Sequence, residues 1–130
     1  LEQILYKLKK KQKIYCYDNL FSTPIGVQSL IRFIDILIRS GKTGTYNIVS
    51  NERLSRYEFA KIVSKVFKLN KDFLVKTKYF PRKRINKPLD TSLSNMKFKK
   101  TFNIKINSIE KDLTEIRRNE KWDSSNNTRI

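Results

Sequence analysis

Two pairs of tyrosine and lysine, each four residues apart, have a spacing that could serve catalysis. Tyr6 with Lys10, and Tyr57 with Lys61, would each fall on one helical turn. In that arrangement the ammonium group lowers the pKa of the phenol for proton transfer. The chain has three glycines, however, and neither pair follows a glycine-rich phosphate loop. We therefore interpret both pairs as helix surface and assign no catalytic or cofactor-binding residue to this chain.

The remaining reactive side chains exclude several classes of site. The sequence contains no histidine, which removes the commonest general base and the familiar serine and cysteine triads. Its single cysteine, Cys16, cannot form an internal disulfide, and a zinc site of ordinary ligands lacks the residues it needs. No pair of carboxylates stands out as an acid and base couple. We predict no metal site.

The charge balance points to an anionic partner. Lysine and arginine total 29 against 12 acidic residues, for a formal net charge of +17. Such an excess fits a nucleic acid, an anionic membrane or a phosphorylated small molecule, and part of it simply solvates the surface. The runs "KLKKKQK" and "PRKRINK" are basic, but the aromatic residues fall mainly at positions predicted for the core. Nucleic acid is therefore the less favoured partner.

The sequence carries no membrane or export signal. No apolar run approaches the roughly 18 residues that a membrane-spanning helix needs, and no signal peptide is visible. We expect a cytoplasmic protein without a membrane partner. The chain opens on Leu1 within an amphipathic turn, which suggests a piece of something longer.

The first part of the chain predicts helix, strand and helix. "LEQILYKLKKKQK" places leucine and isoleucine on one helical face, and "KIYCYD" alternates as a short strand does. "NLFSTPIG" is a turn-rich loop. Val27 to Ser40 has apolar residues at 27, 30, 31, 34, 37 and 38, which predicts a well-buried helix with its C-terminal cap at Gly41.

The second part predicts a strand and three more helices. Thr45 to Val49 favours a strand, and Ser55 lies three residues before Glu58, the spacing of a capping box that starts a helix. "KDFLVKTKYF" is predicted as a strand or an extended segment, "SLSNMKFKKTF" as a short helix capped by Ser92 or Ser94, and "INSIEKDLTEIRRNEK" as a last helix with Ser108 near its start. The fold class is α/β, helix-rich with few strands. Residues 1–121 form one portion, and we expect the polar tail 122–130 to be disordered.

Three segments together carry a family resemblance. In order they are "LFSTP", "GKTGTYNIVSNERLSRYEFAKIVSKVF" and "KPLDTSLSNMKF". Their order and spacing resemble the C-terminal part of dTDP-4-dehydrorhamnose reductases, members of the extended short-chain dehydrogenase/reductase superfamily. The likeness spans roughly Leu1 to Leu113. It implies the substrate lobe of a Rossmann-type enzyme that reduces the 4-keto group of a dTDP sugar with NADPH or NADH. The cofactor-binding half and its catalytic Tyr-x-x-x-Lys would lie before Leu1.

The resemblance also implies where substrate binds. The family has an arginine before a proline where this chain has Lys87, which keeps the charge but loses the bidentate fork. Lys87, with Arg84 and Arg82 in the loop from Pro81 to Pro88, is therefore predicted to bind the diphosphate. The matching segments add three further predicted contacts, Phe21, Thr23 and Ser92. The family's polar residue after proline is Ile25 here, which puts that one contact in doubt.

Several alternatives stay open at this point. The parent protein could be another NAD-dependent nucleotide-sugar epimerase or dehydratase, or a non-catalytic relative, and the chain could instead be a basic module that binds RNA or another polyanion. The resemblance implies a nucleotide-diphosphate sugar and the N-terminal Rossmann half as partners, and leaves a homodimer possible. If the helix Val27 to Ser40 packs on a sheet of that half, this chain alone should expose a large apolar patch.

Overall fold

The computed structural model describes residues 1–80 and 87–119. These residues form helices and short strands in a mixed α/β arrangement, which confirms the predicted helix-rich fold with few strands. The tail 122–130 lies outside them. In chain order the elements are α1 (Glu2–Lys9), β1 (Ile14–Tyr17), β2 (Phe21–Ser22), α2 (Val27–Ser40), β3 (Leu54–Ser55), α3 (Arg56–Val66), β4 (Leu74–Thr77), α4 (Met96–Phe102) and α5 (Ile109–Asn119).

The strands pair in two small sheets. β1 and β4 are parallel, with Ile14 opposite Leu74, so the chain between them crosses over through α2 and α3. β2 and β3 form a short antiparallel pair in which Phe21 lies opposite Ser55. A single parallel bridge also links Phe21 to Asp90, which brings the segment before α4 onto the outer side of β2.

Helix α3 is the central element of the core. It begins with the predicted capping box: Glu58 N donates to Ser55 Oγ at 3.1 Å, and Ser55 N donates to Glu58 Oε2 at 2.7 Å. Hydrogen bonding of the Glu58 carboxylate by the backbone N–H and side chain of Ser55 holds the pKa of Glu58 below its usual value. Ala60 and Val63 on α3 are fully buried against α1, α5 and the parallel sheet. The predicted apolar face of α1 supplies Leu5 and Leu8 to the same core.

The predicted strand from Thr45 to Val49 is wrong. Residues 45–49 have no strand hydrogen bonding, because no strand in the described part of the chain lies beside them. Tyr46 and Ile48 instead pack against a third core cluster built on Phe33 and Phe98. A strand exists only where a neighbour completes its backbone hydrogen bonds, and the sequence of this segment cannot supply that neighbour.

Helix α2 has the predicted bounds and cap, but the prediction that it is well buried is wrong. Gly41 ends it in the left-handed conformation with φ +62°. The buried residues of the helix are Ser29 and Phe33, on the face toward α5 and the third cluster. Its other face is an apolar stripe at helical spacing with 42% to 75% of each side chain exposed: Val27, Ile31, Ile34 and Ile38. This exposed stripe agrees with the patch expected of the chain alone.

The N-cap of helix α4 lies one residue after Ser94 and three residues after Ser92, the two predicted caps. Its N-cap is Asn95, and the predicted Ser92 and Ser94 lie before it. The buried Asn95 amide donates to Val49 O and Ser50 O, both at 3.0 Å. These bonds fix where the helix begins by tying it to the preceding segment, a long-range contact that local capping rules do not consider. Among the described helices, none combines the length and apolar character needed to cross a bilayer.

Candidate functional site

The structure brings three of the six predicted substrate-binding residues together. The segment from Pro88 to Leu93 runs alongside β2, where Phe21 N donates to Leu89 O at 2.8 Å and Thr91 N donates to Phe21 O at 3.0 Å. Leu93 N donates to Thr23 Oγ1 at 3.2 Å. Phe21, Thr23 and the half-buried Ser92 therefore belong to one surface, although the two segments are about seventy residues apart in the chain.

Arg53 joins this surface and was missed by the sequence analysis. Its Nε and Nη2 atoms each lie 2.8 Å from Asp90 Oδ2, and its guanidinium lies 3.6 Å from the centre of the Phe21 ring. Hydrogen bonds from Ser92 and the Arg53 guanidinium lower the pKa of Asp90 to about 2. No periodicity or spacing links positions 53 and 90, so the pair becomes visible only in the folded chain.

Lys87 lies at the edge of the same surface. Its backbone N is 3.4 Å from the Tyr79 hydroxyl. Tyr79 is held in turn by the side chain of Asn19, which accepts from Tyr79 N at 2.8 Å and donates to Tyr79 O at 2.9 Å. The Tyr79 ring packs edge-on against Tyr17 at the end of β1. Arg82 and Arg84, the other predicted cations of this loop, lie outside the described residues.

An open groove of about 750 Å³ adjoins these contacts between α1, β1 and the start of α3. Ser22 and Tyr17 belong to its lining, so the groove shares an edge with the surface around Phe21 and Tyr79. The polar and aromatic side chains that line it include Lys7, Tyr15, Tyr17, Ser22 and Arg56. Glu2 is the acidic residue of the lining. The groove is thus cationic and carries phenol rings, a combination suited to an anionic ligand with a planar ring.

Cys16 also lines the groove but is not disposed to act as a nucleophile. Burial raises the pKa of its thiol above the usual value, although the charges of Arg56 and Lys7 oppose that shift. The described residues contain no group of three or more histidine, cysteine, aspartate or glutamate side chains that could hold a metal ion.

Neither Tyr-x-x-x-Lys pair belongs to the lining of the groove, although α1 and α3 contribute other residues to it. Tyr6 on α1 is 60% exposed. Tyr57 on α3 packs against the core, and the ammonium groups of Lys61 and Lys76 lie 5.8 Å and 5.9 Å from the centre of its ring. Each lysine therefore has a cation–π geometry that needs no catalytic role.

Solved structures with the same fold include three sugar-nucleotide enzymes. The chain is 18% identical to dTDP-4-dehydrorhamnose reductase from Yersinia enterocolitica, with a TM-score of 0.70 over 87% of this chain and 40% of that one. It is 19% identical to the Bacillus anthracis reductase in complex with NADP, with a TM-score of 0.76 over 88% of this chain and 41% of that one. It is 17% identical to the Bacillus anthracis dTDP-glucose 4,6-dehydratase in complex with NAD, with a TM-score of 0.68 over 92% of this chain and 39% of that one. The chain thus spans about two fifths of each enzyme's length.

The sequence profile of the RmlD substrate binding domain family matches residues 1–121. A search of curated proteins finds no match. The predicted resemblance to the C-terminal part of this group is confirmed by the profile and by the shared fold. Since the match covers nearly all of the 130 residues, the chain belongs to the RmlD substrate binding domain family.

Proposed function

We propose that this chain is the nucleotide-sugar-binding part of an enzyme of the dTDP-4-dehydrorhamnose reductase type. The observation that carries the proposal is the joining of the segment with Lys87 to Phe21 and Thr23 beside a cationic groove. Family membership and the fold shared with two reductases support it. Under this proposal, residues 1–121 form the substrate-binding portion.

The charges around the groove fit a nucleoside diphosphate. The diphosphate brings about two negative charges, and cationic side chains can bind it through charge-assisted hydrogen bonds. Arg56 and Lys7 line the groove, and Lys87 lies on the neighbouring segment. The exposed Tyr15 ring offers a face on which a base can stack. We assign the diphosphate to Lys87 first, with Arg84 and Arg82 as further ligands, and the sugar nucleotide's remaining contacts to Phe21, Thr23 and Ser92.

The reduction itself would require groups outside this chain. In the proposed reaction a hydride passes from NADPH or NADH to the C4 carbonyl of the dTDP sugar, and a proton donor supplies the hydroxyl hydrogen. The reductase and dehydratase of similar fold are complexes with NADP and NAD, which supports a nicotinamide cofactor. We propose that the cofactor and the proton donor belong to an N-terminal Rossmann half, and that this chain binds and orients the sugar nucleotide.

The first test measures ligand binding by the chain itself. Titration calorimetry with thymidine diphosphate should show binding, since the proposed phosphate contacts lie within these residues. The same experiment with NADPH should show no micromolar affinity, because the chain has no glycine-rich dinucleotide loop. Absence of thymidine diphosphate binding up to millimolar concentration would overturn the proposed function, and micromolar NADPH binding would overturn the assignment of the cofactor to another half.

We assign the apolar stripe of α2 to contact with that Rossmann half. The solved enzymes of this fold are about two and a half times as long as this chain, so their structures contain a further part. The stripe is apolar, at helical spacing and exposed, and the segment 45–49 pairs with no strand among the described residues. An adjoining sheet would bury the apolar stripe of α2 and pair with the segment 45–49.

The exposed stripe predicts self-association of the chain when it is alone. Sedimentation velocity should show an increase of mass with protein concentration, because burial of the isoleucines is favourable. The double variant Ile31→Lys, Ile38→Lys should remain monomeric. Tyr6→Lys is the matched control, since it adds charge at another exposed ring and should leave association unchanged. A monodisperse wild-type chain with a sharp, cooperative thermal transition would contradict the assignment.

A second candidate function is that of a related sugar-nucleotide enzyme. The dTDP-glucose 4,6-dehydratase fold matches over 92% of this chain, so the geometry also fits a dehydratase or an epimerase. Product analysis of the complete enzyme with a dTDP-4-keto sugar and NADPH discriminates them, because a reductase consumes NADPH stoichiometrically. A basic polyanion-binding module would instead show RNA binding that falls steeply with salt concentration.

A further inference from the structure

The contacts of Arg53 are more specific than those of an ordinary surface ion pair. Both Nε and Nη2 approach a single carboxylate oxygen of Asp90 at 2.8 Å, and the guanidinium plane covers the Phe21 ring at 3.6 Å. The Arg53 side chain is 49% exposed and the Asp90 side chain 43% exposed. The stacked, doubly hydrogen-bonded geometry fixes the orientation of both side chains, which a single mobile lysine would not do.

Arg53 fixes one end of the segment that follows Lys87. The second oxygen of Asp90 accepts from Ser92 N at 2.9 Å. Leu89 and Thr91, on either side of Asp90, exchange backbone hydrogen bonds with Phe21. The side chain of Arg53 therefore covers the ring of Phe21 while its charge holds the residue that lies between those two bonds.

Lys87 lies between two contacts that restrict the backbone, one at Tyr79 and one at Leu89. On one side its backbone N meets the Tyr79 hydroxyl at 3.4 Å, with Tyr79 fixed by Asn19. On the other side, two residues along the chain, Leu89 O accepts from Phe21 N. A residue between two fixed points retains little backbone freedom, so ligand binding has to order its side chain but little of its backbone, and the protein loses less conformational entropy.

We propose that Arg53 is a positioning residue that acts through Asp90 and Phe21 to hold Lys87 in place for the diphosphate of the sugar nucleotide. This inference rests on the proposed function. In this proposal Arg53 acts through Asp90, which its guanidinium binds, and not by contact with the ligand. The residue influences affinity through the Lys87 backbone.

Calorimetry with thymidine diphosphate as the probe tests the proposal on the full chain. Arg53→Ala should weaken binding about five- to tenfold while the secondary structure stays unchanged. Arg53→Lys keeps the charge but loses the stacked plane and one hydrogen bond, and should weaken binding about two- to fourfold. Arg39→Ala is the matched control, because it removes an arginine paired with an aspartate on the remote surface of α2. It should leave the dissociation constant unchanged.

A double-mutant cycle separates positioning from a general structural role. In a Lys87→Ala background, Arg53→Ala should weaken binding further by less than about twofold, since the residue it positions is absent. Equal weakening in both backgrounds would overturn the proposal. The proposal would also be overturned if Arg53→Ala bound thymidine diphosphate with wild-type affinity while Lys87→Ala bound it more weakly. That result would leave the proposed function intact. No binding by the wild-type chain would overturn both. Should Arg53→Ala fail to fold, Arg53→Lys and Asp90→Asn provide the same comparison.

Discussion

Replacement of Asp112 by alanine should lower the free energy of unfolding by about 3 kcal/mol or more. Asp112 on α5 is 2% exposed, and its carboxylate accepts hydrogen bonds from Gly26 N at 2.7 Å and Ser29 Oγ at 2.6 Å. These bonds join α5 to the first turn of α2, two elements more than eighty residues apart in sequence. Without the carboxylate, both donors would stay buried and unsatisfied.

The packing around Asp112 strengthens this expectation. A Cβ atom built on Gly26 would lie 2.6 Å from Asp112 Cβ, so the backbone there approaches as closely as glycine permits. Neighbouring side chains therefore have little room to rearrange. Asn107 Nδ2 also lies 3.4 Å from the carboxylate.

Urea unfolding followed by circular dichroism measures the effect. Asp112→Asn keeps one acceptor oxygen and should lose about half as much free energy as the alanine variant. Asp35→Ala is the matched control: Asp35 lies on α2 and pairs with Arg39 but is exposed, so its removal should barely move the urea midpoint. An Asp112→Ala midpoint equal to that of Asp35→Ala would show that the buried network contributes nothing to stability.

Replacement of Lys87 by alanine should weaken thymidine diphosphate binding about 10- to 150-fold, the equivalent of about 1.5 to 3 kcal/mol for one charge-assisted contact. The backbone of Lys87 is held beside Tyr79 and its side chain is exposed, so its ammonium group can meet a phosphate bound near this surface. In a complete enzyme the same change should raise the KM for the sugar nucleotide and leave the KM for NADPH unchanged.

The conservative variant Lys87→Arg should not weaken thymidine diphosphate binding. Lys87→Arg should bind at least as tightly as the wild type, because a guanidinium can grip two phosphate oxygens. If Lys87→Ala retains wild-type affinity while Arg84→Ala loses it, the phosphate ligand is Arg84. If neither change matters, the cations of this segment only solvate the surface.

The features that sequence reasoning predicted correctly depend on neighbours along the chain. The capping box at Ser55 and Glu58 needs residues three positions apart, and the cap at Gly41 needs one residue that tolerates positive φ. The periodicity of α1 likewise places Leu5 and Leu8 in the core. In each case the information lies within one turn of helix.

The features that sequence reasoning missed depend on distant parts of the chain. The segment 45–49 has strand-like residues but no pairing neighbour in the described structure, and α2 has a core-like stripe that the rest of this chain leaves exposed. Arg53 meets Asp90 only because β2, β3 and the segment before α4 come together. The sequence pattern shows which face of a helix or strand is apolar or charged, whereas the tertiary fold determines which other residues that face contacts.

The central claim is that these residues bind the diphosphate of a sugar nucleotide. Its most direct test is a calorimetric comparison of thymidine diphosphate binding by the wild-type chain and by Lys87→Ala, at two salt concentrations. We expect binding by the wild type that weakens with salt, and a loss of about tenfold or more in the variant. Equal affinity of the two proteins would contradict the assignment to Lys87, and no heat from the wild type would contradict the claim itself.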